Sequence, residues 1–214
     1  MLVVCWSVKG GSGTTVVAAA LSLLLARSRA DGAIAVDLGT DLPAALGLSR
    51  PIGPGLGDWI EAADSVDGDA LLMLASTAGS GVDLIAAGRP CDPAAPRWDR
   101  AAAVLADDHR PVVVDAGSGA PPAPLVERAM HSLLVIRPCY LALRQATELP
   151  ARASGIILVA EPGRALGRRD VESAVGVPVI AEVPVEPAVA RAVDAGLLSC
   201  RLPVTLAKAL RTVA

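Results

Sequence analysis

The segment with the most chemical content is Ser7-Val8-Lys9-Gly10-Gly11-Ser12-Gly13-Thr14-Thr15. It follows a short apolar, β-branched run from Leu2 to Trp6 and opens an apolar stretch from Thr15 to Arg27. Glycines in such a turn let successive backbone N–H groups point inward and approach closely, and the helix start adds a favourable dipole. That combination recognises phosphate. A hydroxyl at the end of the loop, here Thr15, suits Mg²⁺. Lys9 stands out because Lys9 and Lys208 are the only lysines in a chain that otherwise uses arginine. A lysine there points to a task that needs a compact ammonium. Two carboxylates, Asp37 and Asp115, close apolar runs further on. The expected nucleotide-binding set is Lys9, Gly10, Gly11, Ser12, Gly13, Thr14, Thr15, Asp37 and Asp115, with Thr15, Asp37 and Asp115 as the Mg²⁺ ligands. No residue is expected to act as a catalytic group in its own right.

The loop departs from the ordinary phosphate-loop pattern, which ends G-K-[ST]. Thr14 occupies the lysine position. With Lys9 near its start, the segment resembles the deviant Walker A loop, K-G-G-x-G-K-T-T, of the MinD/ParA family of P-loop ATPases. The likeness extends through Ala-Val-Asp37, similar to the switch I region, and Val-Val-Val-Asp115-Ala-Gly117, similar to Walker B. Leu134 to Pro138, Leu143 to Ala146, and Glu182 through Gly196 resemble later family segments in the same order. The resemblance implies ATP or ADP and Mg²⁺ as cofactors and a sandwiched homodimer in which Lys9 reaches the partner's nucleotide. A protein partner of unknown identity is expected on separate grounds, since no catalytic constellation for transforming a small molecule is present.

The departures from the family decide what activity to expect. Relatives usually carry D-x-D after strand two, the second aspartate positioning the attacking water; here the stretch is Asp37-Leu38-Gly39. Asp41 is an alternative, and its two-residue offset speaks against it. Glu161 stands where relatives often have an Asn that contacts adenine. Positioning and electrostatics carry most of phosphoryl transfer, so losing the lysine and the second aspartate implies a very slow ATPase or none. Two readings stay open: a nucleotide-responsive positioning switch, and a catalytically dead scaffold resembling the TadZ/CpaE branch, which places pilus, secretion or partition machinery without nucleotide. A relic loop that binds nothing is compatible with the second. Metabolic P-loop ligases are disfavoured because they need the missing lysine.

The elements that must position this loop alternate in type. Strands are expected at Leu2–Trp6, Ala33–Asp37, Val82–Ile85, the run ending at Asp115, Ser132–Ile136, Gly155–Ala160 and Val177–Val183. Helices are expected over Thr15–Arg27, from a D-x-x-E capping pair Asp58–Glu61 through about Ala63, and over Trp98–Ala106. Pro187 and Pro203 sit where first helical turns begin. Alternation of this kind means βαβ units in an α/β, doubly wound, mostly parallel sheet flanked by helices, the P-loop NTPase fold. The 214 residues are expected to form a single domain, 1–214.

Composition narrows the function classes. Hydrophobic residues make up 53% of the chain, yet Phe is absent and the aromatics are Trp6, Trp59, Trp98 and Tyr140. The core must be built from Ala, Val, Leu and Ile, which suits parallel strands under Ala-rich helices. A net charge of −3 argues against a general nucleic-acid binder. Cys5, Cys91, Cys139 and Cys200 lie far apart, with no metal-ligand spacing, and read as reduced thiols of a cytoplasmic protein. No apolar run reaches the roughly 18–20 residues of a membrane span, and no signal peptide is expected. His109 and His131 have no partner at catalytic spacing. Arg164, Arg168 and Arg169 form a basic cluster expected in a solvated loop. Leu206, Leu210 and Val213 are spaced to pack a terminal helix on the sheet.

Overall fold

The computed structural model describes residues 1–49, 53–62, 67–148 and 152–214. The chain runs β1 (Leu2–Ser7), α1 (Thr14–Ser28), β2 (Ala33–Asp37), α2 (Leu42–Ala45), α3 (Leu56–Ile60), α4 (Asp69–Leu72), β3 (Ser76–Gly79) and β4 (Val82–Ile85). It continues α5 (Trp98–Asp107), β5 (Val112–Ser118), α6 (Ala123–Arg128), β6 (His131–Ile136), α7 (Tyr140–Glu148), β7 (Gly155–Ala160), α8 (Arg168–Val175), β8 (Val179–Pro184), α9 (Pro187–Asp194) and α10 (Val204–Leu210). One sheet orders these strands β3-β4-β2-β5-β1-β6-β7-β8. Every pairing is parallel except that of β3 with β4. The doubly wound α/β architecture expected from the sequence is therefore present.

Apolar runs without alternation build the middle of the sheet because both faces are covered. Val3, Cys5, Ala33, Ala35, Val113, Leu133 and Val135 pack with α1, α2 and α10 on one side. Leu2, Val4, Trp6, Ile34, Val36, Val112 and Val114 meet α3 and α5 to α8 on the other. Helix α1 is apolar nearly all round because it lies between the sheet and α10, with Val17 to Leu23 buried throughout. Its one interior polar group is satisfied: the Ser22 hydroxyl donates to the Ala18 carbonyl at 2.9 Å. Leu206 and Leu210 of α10 are fully buried against this layer, as their spacing predicts, and Val213 packs at its margin.

Several local expectations change. Helix α3 starts earlier than the Asp58–Glu61 pair implies. Gly55 is its N-cap and Asp58 its third residue, whose carboxylate accepts the Gly55 N–H at 2.8 Å. Ala63, the expected end, lies outside the described residues. Strand β3 has no counterpart in the sequence reading: Ser76, Thr77 and Gly79 are exposed and carry no apolar alternation. It forms because Gly79, Ser80 and Gly81 all take positive φ and turn the chain back onto β4. β8 begins at Val179 rather than Val177, and Pro178 contributes only its carbonyl, to the Ile156 N–H at 2.9 Å. Arg168 and Arg169 open α8 rather than lying in a loop. Among the described residues no helix is long and apolar enough to cross a membrane.

One contact ties the end of α2 to the segment after α9. Gly47 has φ +82°, and a Cβ there would collide with the Gly196 carbonyl oxygen. Gly47→Ala adds left-handed strain to that collision and is expected to lower stability by about 2 kcal/mol or more, read as a fall in the urea midpoint. An unchanged midpoint would contradict this approach of the two segments.

Candidate functional site

The chain leaves β1 at Ser7 and turns over the carboxyl ends of the strands before entering α1. Two serines fold the turn around one carbonyl. The Ser12 hydroxyl donates to the Lys9 oxygen at 2.7 Å, and the Ser7 hydroxyl lies 3.1 Å from both the Lys9 and the Gly117 oxygens. Gly11 and Gly13 adopt φ +76° and +93°, left-handed values that a side chain would strain. Gly13 then caps α1, its carbonyl accepting the Val17 N–H at 3.0 Å. The result is a cavity of about 410 Å³ lined by Gly10 through Thr15 on one side, by Gly39 and Asp41 after β2, and by Gly117 and Ser118 at the end of β5. Thr14 is buried in this wall. Lys9 is exposed and does not line it.

Asp37 and Asp115 lie side by side in the β2–β5 register, and both are fully buried. Asp37 Oδ1 accepts the Gly39 and Thr40 N–H groups, each at 2.9 Å, and Asp115 Oδ1 accepts the Gly117 N–H at 3.1 Å. The Oδ2 atom of each has no hydrogen-bond partner among the described residues. Burial pushes Asp37 up to about 6; the Asp115 and Asp41 charges add to the rise, and its two amide donors oppose it. Burial also raises Asp115, against the Thr15 hydroxyl and the Gly117 amide, with Asp41 adding again. Burial beside Asp115 raises the Cys5 thiol, which is inert in consequence.

Of the expected set, Gly10 through Thr15 surround one cavity, and Thr15 is near enough to Asp115 to act on its carboxyl, although Asp115 does not line that cavity. Asp37 lies alongside Asp115 but opens onto two neighbouring cavities rather than this one. The acidic side chain that does line it is Asp41, which its offset in sequence had spoken against. The turn at Asp37, locked by the Gly39 and Thr40 amides and by φ +78° at Thr40, brings the chain back to the loop. Glu161 is held by Arg164 at 2.6 Å, while Arg168 pairs with Glu172 and Glu182, so two of the three arginines in the basic cluster are paired locally. His131 opens β6, and exposed His109 neighbours Asp108. All four cysteines are free, and among the described residues no group of His, Cys, Asp and Glu could hold a metal by itself.

No family model matches the chain, and no curated protein matches it in sequence. Solved structures do match. A ParA family ATPase from Chlorobium tepidum TLS superposes with a TM-score of 0.76 at 21% identity, covering 98% of this chain and 96% of that one. The septum site-determining protein MinD with Mg-ADP from Pyrococcus horikoshii OT3 gives 0.76 at 20% identity, over 100% and 94%. MinD in the Aquifex aeolicus MinC:MinD complex gives 0.76 at 20%, over 99% and 92%. This chain has the MinD/ParA-type fold.

Within that MinD/ParA-type framework the site is short of positive charge: among the described residues no lysine or arginine lines the loop cavity, while Asp41 does. Three carboxylates thus gather with only backbone amides and hydroxyls to balance them. The consequence can be measured without any ligand. Asp37 titrates near 6 in the fold against 3.8 ordinarily, so its ionisation opposes folding. That opposition is absent below about pH 4, grows between the two values and is complete above them. Asp37→Asn keeps an acceptor for both amides. It is expected to raise stability by up to about 3 kcal/mol at pH 7 and by almost nothing at pH 4. Denaturant melts of the ligand-free protein at the two pH values check this; an equal effect at both would contradict it.

Proposed function

We propose that this MinD/ParA-type chain is a nucleotide-responsive positioning protein of the cytoplasm, working as a single domain over 1–214. In this reading ATP or ADP sits on the loop from Lys9 to Thr15 and is hydrolysed very slowly or not at all. The observation that carries it is the loop itself: two left-handed glycines and two serine hydroxyls hold Gly10 to Thr15 around an open cavity at the start of a 15-residue helix. A turn needed only to join a strand to a helix has no use for such a cradle.

The residues present fit a magnesium ion. Asp37 and Asp115 each keep a buried carboxylate oxygen without a partner, and the Thr15 hydroxyl lies against Asp115. Thr15, Asp37 and Asp115 would hold Mg²⁺, which when bound offsets phosphate charge. The loop amides would orient the phosphates. Gly39 offers nothing to position water, and Asp41 is the carboxylate that lines the cavity among the described residues and could take that task. The MinD neighbours are complexes with Mg-ADP and with MinC, and by analogy this chain would form a dimer across the nucleotide face and capture a protein partner. A second reading has one observation in its favour. The cavity's lack of a cation favours a scaffold that works without nucleotide, of the TadZ/CpaE kind.

Calorimetry with MgATP separates the two readings: binding with at least submillimolar affinity is expected, and none would favour the scaffold. Thr14→Lys is expected to tighten binding by about tenfold, because it restores a charged partner beside the phosphates. Unchanged affinity in that variant would mean the loop is not shaped for phosphate. Steady-state turnover at the rate of an ordinary ATPase, abolished by Asp115→Ala, would contradict impaired hydrolysis. Lys9→Ala is expected to weaken ATP-linked dimerisation in light scattering without altering the melt, and a chain monomeric with and without ATP would exclude the sandwich.

A further inference from the structure

A phosphate on a loop without its lysine needs positive charge from another element, and β6 is placed to deliver it. β6 runs parallel to β1, with Val3 to Trp6 opposite His131 to Leu134. β6 in turn pairs with β7, Ile136 opposite Leu158, so the next residue, Arg137, comes level with Val159. Leu133 and Val135 face the α1 side with Val3 and Cys5, and strand alternation puts Arg137 on that side as well. The loop crosses the same ground. A Cβ on Gly13 would lie 3.9 Å from Cγ2 of Val159 on β7, the strand beyond β6. The turn into α1 therefore passes over the end of the strand from which Arg137 emerges.

Arg137 is also short of partners. Its Nε is buried with no hydrogen-bond partner among the described residues. Among the described residues its ion pair is long, 3.9 Å to Glu161, and that carboxylate is already engaged at 2.6 Å by Arg164. The side chain keeps 40% of its surface exposed. A guanidinium with a buried, unused donor is costly to leave unmatched and suits a planar, bidentate anion.

We propose that Arg137 contacts the phosphates of a nucleotide seated on the loop and supplies the positive charge that Thr14 lacks. The inference rests on the nucleotide reading above. It assigns the compensating cation to the β6 end, outside the loop and within the same chain, whereas Lys9 would act across a dimer.

The test is a titration of the wild-type chain, Arg137→Ala and Arg137→Lys with MgATP, MgADP and adenosine. Arg137→Ala is expected to weaken MgATP and MgADP by about tenfold or more, the worth of a hydrogen bond to a charged group, and to leave adenosine unchanged. Arg137→Lys keeps a point charge and is expected to fall between. Unfolding midpoints measured in parallel should be alike for all three proteins. MgATP affinity unchanged in Arg137→Ala overturns this assignment and leaves the nucleotide reading standing. An equal loss for adenosine also overturns it, since the phosphates would then not be the contact. Failure of the wild-type chain to bind MgATP overturns the nucleotide reading and this inference with it.

Discussion

Six residues separate the last position of β1 from the first of α1, and the geometry of the site follows from how they turn. The chain must rise over the carboxyl edge of a parallel sheet and enter a buried helix that cannot shift, because its apolar faces are locked between the sheet and α10. Gly11 and Gly13 supply the left-handed steps, and Ser7 and Ser12 tie the turn to the Lys9 carbonyl. Ser7 also reaches the Gly117 carbonyl, so the end of β5 is fixed to the turn after β1. Gly39 lies against Gly117 in turn. One backbone construction thus sets the spacing of the loop and of the turns that follow Asp37 and Asp115.

The same construction buries charge. Asp37, at the end of β2, and Asp115, opposite it within β5, are desolvated, with one oxygen each unmatched. An ionised pair in that setting opposes folding unless a cation arrives. The chain tolerates this because the surrounding sheet is close-packed and supplies the stability from elsewhere. A metal or a positively charged ligand group reaching those oxygens would relieve the opposition, and that is how binding at the site would stabilise the fold. Thr14 makes the dependence sharper, because the loop has no ammonium of its own to share the task.

Much of this could be read from the residues. The long apolar helix after a glycine-rich turn, and Val112 to Asp115 as a buried strand closed by a carboxylate, are patterns set by burial on both faces. Their bounds in the structure differ by a residue or a few from those expected. What could not be read depends on contacts between distant segments. β3 has no apolar signal, since it is an exposed antiparallel edge held by a turn. Asp41 looked misplaced because sequence offset counts residues, whereas the Asp37 turn folds four of them back on themselves. Arg137 carries no local signature at all. Its relation to the loop exists only because β6 lies beside β1.

The central claim is that Gly10 to Thr15 form a working phosphate cradle even though the lysine is missing. The most direct measurement is the backbone amide NMR spectrum of this loop as MgATP is added, with MgCl₂ alone as the reference. Saturable downfield shifts of the Gly11, Gly13, Thr14 and Thr15 amides, absent with MgCl₂ alone, are the predicted result, because these N–H groups would be donating to phosphate oxygens. Loop amides that stay where they are at millimolar MgATP, in a chain that remains folded, would contradict the account.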